Sequence, residues 1–543
     1  MGTGRRNHPD HRRGSVKARR RPKRIALLVL GVSALTVWML PVAVGVIATS
    51  SAATPDNSSW TVYHQSPAGA GVATSVAAVK TSTPAWTSPG LDGQLYGEPL
   101  VSNGQVFVAT ENDTVYALSS STGAVIWSTH IGTPVPSGSL PCGDISPTVG
   151  ITGTPVIDPT RSEIFVVADE QLNGSPAHIL VGLDTGSGRT EMTQNVDPAG
   201  AKPAALLQRT GLALDANQVV FGFGGNYADC STYRGWLVGV NESGGTPVDF
   251  GVDSGASESQ GAIWMGGAAP EVDSGGNLWV GVGNGSVTTT GPAYDYSDSI
   301  LELSSSFHLL QYFAPTSWSS DNAHDFDLSM APALLADGQV VASGKSAHAY
   351  LLHGSDLGGI GGQESDLASV CGDYVDGGTA VTGTTVFIPC LSGIVALQVG
   401  SSPARLQVLW TSRTGGGPPI IAAGLVWTIG QNGMLSGLSP TTGAVQQQAS
   451  IGTPINHFPT PSVGSGMLLA AAGTHVVAFT ASPSSSSANS STTTLPTLPP
   501  ARSPAQPREG FPVIAIIAMV AGAAILIGVI VWLVRRQTRS RPV

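Results

Sequence analysis

GEPLVSNGQVFVATENDTVYALSSSTGAVIW, residues 97–127, decides the fold. Two short apolar runs, VFVAT and TVYAL, are rich in β-branched and aromatic residues and too brief for helices. The pairs N-G, N-D and T-G break the chain before, between and after them, and each is a turn former. A third strand then ends on Trp127. The stretch predicts successive antiparallel strands joined by tight turns.

The same unit recurs along the rest of the chain. It returns at 154–192, 212–245, 270–313, 332–352, 379–399, 418–445 and 460–480, which makes eight copies. Residues 60–480 divide into about 53 per copy, slightly above the 40 to 50 usual for a four-stranded blade. One such sheet alone leaves both faces wet, whereas a ring of them buries each face against a neighbour. The predicted fold is therefore all-β, an eight-bladed β-propeller with four-stranded blades over 60–480. Composition agrees: 69 Gly, 38 Pro and 11% charged residues suit a turn-rich β protein and exclude a coiled coil or charged helical bundle.

Charge is concentrated at the two ends. Residues 1–24 hold ten basic side chains and one acid, and 535–543 hold four arginines, which leaves a net −23 over 49–510. An acidic body of that kind repels nucleic acid. Each basic end abuts 24 uncharged residues, Ile25–Ala48 and Phe511–Val534, long enough to cross a bilayer. Basic flanks belong in the cytoplasm, so the expected topology is a cytoplasmic segment (1–24), a signal anchor or signal peptide (25–48), an extracytoplasmic body, a transmembrane helix (511–534) and a cytoplasmic tail (535–543). Residues 481–510, with eight Ser, four Thr and six Pro, form an extended stalk. The expected location is the cell membrane, with the propeller outside.

Four cysteines fall in that exported part, where an even number tends to pair, and they allow three connectivities. Cys371 and Cys390 bracket a single strand-turn segment, which favours their pairing and leaves Cys142 with Cys230.

Ala117-x-Ser119-x-x-x-Gly123-x-x-x-Trp127 resembles the tryptophan-docking repeat of pyrroloquinoline-quinone-type (PQQ-like) propellers, and weaker copies stand at 182–188 and 437–443. The glycine suits a positive-φ turn and the tryptophan a pack against the next blade. The eighth copy has no docking Trp, and Val79–Ser88, with Trp86, supplies one; the N-terminal segment is expected to latch the ring. The family includes quinoprotein alcohol dehydrogenases and scaffolds such as the barrel-assembly propeller lipoprotein, so the resemblance speaks to fold more than to activity.

In the dehydrogenase branch, the resemblance implies a quinone, a calcium ion bound by a strand-end Asn, and an aspartate base. Asn284 in Gly281-Val282-Gly283-Asn284-Gly285 and Asp325 in His324-Asp325-Phe326-Asp327 are the matching positions, with Trp264 as a pocket floor. The vicinal cysteine pair of that branch is absent, and few cations are present to hold an anionic quinone. The simpler readings make Asn284 a turn residue, Asp325 a loop carboxylate or cap, and Trp264 a packing aromatic. His348 and His353 read as structural. No cofactor or metal is then expected. Residues 141–155 and 226–236 read as rim loops in which Tyr227, Tyr233, Arg234 and Trp236 make a recognition patch. The functional expectation is a membrane-anchored binding or assembly scaffold for envelope proteins or polymers, with a PQQ-dependent alcohol or sugar dehydrogenase as the alternative.

Overall fold

The computed structural model describes residues 59–252, 259–290, 294–454 and 458–483. Eight antiparallel sheets follow one another along the chain. Blade one is Leu100–Ser102, Gln105–Ala109, Thr114–Ser119 and Val125–His130, and the next six repeat this up-and-down order. The innermost strand of blade eight, Ser462–Gly464, lies against that of blade one, and Ser462 Oγ donates to Pro99 O at 2.5 Å. The ring is closed.

Burial explains the pattern of the repeats. Inner strands touch neighbours on both faces, so Leu278–Val282 is buried at every position. Outermost strands alternate, as in Val125–His130, because one edge of each blade faces water. Three tryptophans on outermost strands make the docking contact. Trp127 Nε1 donates to Thr185 O at 3.0 Å and Trp410 Nε1 to Pro440 O at 2.9 Å. Each indole lies over the positive-φ glycine of the following blade, Gly188 and Gly443, where a Cβ would come within 2.5 Å of the ring. Trp86 does the same from the N-terminal side, donating to Ser120 O at 2.8 Å above Gly123 (φ 70°). The latch therefore forms: Val76–Lys80 and Trp86–Thr87 both pair with His475–Pro483, the third strand of blade eight. That strand runs three residues past Thr480, so the first residues assigned to the stalk are sheet.

The opening segment does more than latch. Residues 60–73 thread the hub and hydrogen-bond the inner strands of five blades. Trp60 pairs with Val101, Thr61 O accepts from Ile157 N at 2.8 Å, and Pro67 O from Val272 N at 2.8 Å. Ala70 O accepts from Val381 N at 3.0 Å, and Val72–Ala73 runs parallel to Ile421–Ala422. Trp60, Tyr63 and His64 are all buried, which is what an otherwise open channel of backbone edges requires. Nothing in the repeat pattern foretold this plug.

Both expected disulfides are present, Cys142–Cys230 and Cys371–Cys390. Among the described residues no helix is long and apolar enough to cross a membrane. The two apolar stretches, 25–48 and 511–534, lie outside the described residues, as do both basic ends and the stalk beyond Pro483.

Candidate functional site at the hub mouth

Up-and-down sheets place every second-to-third-strand connection and every blade-to-blade crossing on one rim, and the docking turns on the other. The loop rim gathers the chemistry. Residues 261–270 cross from blade three to four and carry Trp264; residues 283–298, within blade four, carry Asn284. Residues 315–332 cross to blade five and carry Asp325 and Asp327, and the turn within blade five carries Lys345.

These side chains meet. Asn284 N donates to Asp327 Oδ1 at 2.7 Å, and Lys345 Nζ lies 2.6 Å from Asp327 Oδ2. The same ammonium stands 5.4 Å from the Trp264 ring centroid. Burial works against the Lys345 charge, but Asp327 and Asp325 outweigh it and raise its pKa. Behind them, burial pushes the Asp376 carboxyl up to about 8, opposed by Lys345. Burial also raises Asp298 well above the carboxylate range.

Asp325, read as a loop carboxylate or cap, is the left-handed C-cap of the short helix Trp318–His324, and its side chain is 64% exposed, against 4% for Asp327. The carboxylate that faces the hub is Asp327, two residues on, because the helix ends at Asp325 and the chain then turns inward. Asn284, read as a turn residue, lies in the connection that follows the second strand of blade four and is buried, with its backbone N–H donating to that carboxylate. Trp264 packs against Phe458, centroids 5.7 Å apart.

The rim patch divides as well. Tyr227 is 67% exposed beside the Cys142–Cys230 bridge, whereas Tyr233 is 7% exposed and turned inward against Gly225. Tyr233 therefore cannot be a rim contact; its hydroxyl serves the Asp229 carboxyl. Arg234 lies over the Trp236 ring at 6.0 Å, and Trp236 covers Gly251. Within residues 141–155, read as a rim loop, Thr148–Val149 is a short strand that pairs with Val135–Pro136. His348 bonds Asp366 and His353 bonds Ser355, both at the blade edge.

Arg209 has no counterpart in the sequence reading. It projects from the crossing between blades two and three, 9% exposed, with its guanidinium 5.7 Å from the rings of both Tyr96 and Phe458. Lone basic residues in loops carry no periodic signal, so only the assembled ring brings it to the axis.

The calcium–quinone pair implied by the resemblance does not fit these residues. Calcium takes six to eight oxygens, yet both Asp327 oxygens are already engaged by Asn284 and Lys345. Among the described residues, the one group of three metal-ligating side chains is Cys371, Asp373 and Cys390, whose sulfurs are joined to each other. Trp264 is no bare platform for a planar ring either, with Lys345 and Phe458 against it. A cavity of about 260 Å³ lies elsewhere, lined by Ile131, Glu170, Leu172, Ile179 and Val181 of blade two and its approach.

The family described as outer membrane protein assembly factor BamB matches residues 61–254. Among solved structures, the quinohemoprotein alcohol dehydrogenase from Comamonas testosteroni aligns with TM-score 0.57 at 14% identity, covering 78% of this chain and 80% of that one. The quinohemoprotein alcohol dehydrogenase ADHIIG from Pseudomonas putida HK5 aligns at 0.56 and 13%, covering 86% and 85%. A europium-containing methanol dehydrogenase aligns at 0.56 and 13%, covering 77% and 91%. At such identities these likenesses speak to the fold. Among curated proteins, none matches the chain.

Proposed function

We propose that this eight-bladed propeller, whose residues 61–254 match the assembly-factor family, is a membrane-anchored, extracytoplasmic scaffold. It binds other envelope proteins or polymers through the loop rim of its first three blades. The observation that carries this reading is the state of the hub. Residues 60–73 fill the channel, and the acid best placed for chemistry, Asp327, is neutralised by Lys345. The rim beside it is built for display: a disulfide fixes the long crossing at 131–155, and Tyr227 stands out from the bridge. The family match at 61–254 covers these same blades. The apolar stretches 25–48 and 511–534, with their basic flanks, supply the anchors, and paired cysteines suit an oxidising compartment.

Replacing Tyr227 and Arg234 with alanine in the full chain tests this reading. Loss of co-purifying envelope components supports it, and unaltered recovery counts against it. The dehydrogenase alternative draws on the meeting of Trp264, Asn284 and Asp327 at the hub mouth. Quinone absorbance in the purified full chain, with dye-coupled alcohol oxidation that Asp327→Asn abolishes, would replace the scaffold reading with that one.

A further inference from the structure

The two cations at the hub mouth are in opposite states. Lys345 has two carboxylates within 3.3 Å. Arg209, on the other side of the Trp264–Phe458 pair, makes no hydrogen bond and no ion pair among the described residues. The acids that act on it through space, Glu111 and Asp144, lie beyond bonding range, and Glu111 spends one oxygen on Gly150 N at 2.7 Å. Gly267, at φ 86°, opens the space beside the guanidinium, because a Cβ there would come within 2.5 Å of Nη1. The five guanidinium donors have no acceptor among the described residues, and none of the nitrogens is sealed from solvent, so they are open to a ligand.

We propose that Arg209 is the anchor of a carboxylate-binding site at the hub mouth, with Tyr96 and Phe458 as its walls. The guanidinium fork accepts one carboxylate bidentately, and the two rings offer an apolar or aromatic body its contact surface. A single cation suits a singly charged group. Phosphate and polyanions call for several cations, and the acidic body disfavours them. The site goes beyond the scaffold reading and does not depend on it. Two sources carry this chemistry: a free aromatic or aliphatic acid, and the terminal carboxylate of a polypeptide.

Titration calorimetry on the full chain in detergent, at low salt, tests the proposal with benzoate, neutral benzamide, and a short peptide ending in phenylalanine as free acid or amide. Benzoate should bind and benzamide should not. Arg209→Gln should weaken benzoate by about tenfold or more, the loss of one charge-assisted pair. Arg209→Lys should recover only part of it, lacking the fork. Binding of benzoate alone identifies a small acid as the source; binding of the free-acid peptide but not its amide identifies a chain terminus. Removing an unpaired buried charge should not unfold the protein. If Arg209→Gln nonetheless fails to fold, Phe458→Ala, which removes one wall, must weaken benzoate. Absence of binding by both benzoate and the free-acid peptide up to 10 mM, a concentration about tenfold above a 1 mM dissociation constant, overturns the proposal, and so does equal binding by the variants. Partner recovery with Arg209→Gln separates the two readings: carboxylate binding lost with recovery unchanged leaves the site standing apart from the scaffold surface.

Discussion

The two rims of the ring are built on opposite principles. On the turn rim, Trp86, Trp127 and Trp410 perform one operation three times, each indole lying on a glycine and donating to a carbonyl of the next blade. On the loop rim nothing repeats: Arg209, Trp264, Asp327 and Lys345 come from four different connections and meet once. The contrast teaches that stability in this molecule is distributed and modular, while chemistry is single-copy. Damage to one rim should melt the protein, and damage to the other should alter what it holds.

The hardest test of that contrast is removal of residues 60–90, which deletes hub plug and latch together. Thermal unfolding should move down sharply or lose cooperativity, and an unchanged melt would break the idea that one segment closes the ring. Asp327→Asn should cost about 3–5 kcal/mol, because it leaves Lys345 buried without its nearest counter-charge, whereas Asp325→Asn should stay within about 0.5 kcal/mol at its exposed site. Equal effects in denaturant titrations would erase the distinction between the two aspartates. Trp86→Ala and Trp127→Ala should each cost about 3 kcal/mol, and similar values would establish that the latch Trp is an ordinary member of the series.

A smaller, graded effect is expected with pH. Burial lifts Glu111 and Asp169 to about 7, Asp376 to about 8 and Asp113 to about 9. Folded-state values raised above the unfolded ones favour the protonated native form, so this contribution is full in acid and is lost as pH climbs through 7 to 9. The melting temperature should therefore be higher at pH 6.5 than at pH 9, and a rise in that window would contradict the burial of these groups.

The turn rim was legible in sequence because it is periodic: the A-x-S-x-x-x-G-x-x-x-W spacing at 117–127 states both the turn and its partner. The cysteine pairing was legible because short separation in sequence limits geometry. The hub mouth was legible only in part. Trp264, Asn284 and the aspartate segment came from a family pattern, but the choice between Asp325 and Asp327 turns on where a seven-residue helix stops, which no local signal fixes. Tyr233 looked like its neighbour Tyr227, and the two were separated by the close approach of Gly225. Arg209 and the plug at 60–73 depend on contacts between residues hundreds of positions apart, such as Tyr63 with Thr460, and sequence periodicity is silent about those.

Pairing of Val76–Lys80 with Thr480–Pro483 also dictates when this protein can finish folding. Seven sheets can assemble as the polypeptide emerges, but the eighth needs strands drawn from both extremes, some four hundred residues apart. Completion thus waits until His475–Pro483 has been synthesised, and a product truncated ahead of it would keep an open seam with unpaired strand edges, the kind of surface that aggregates or is degraded.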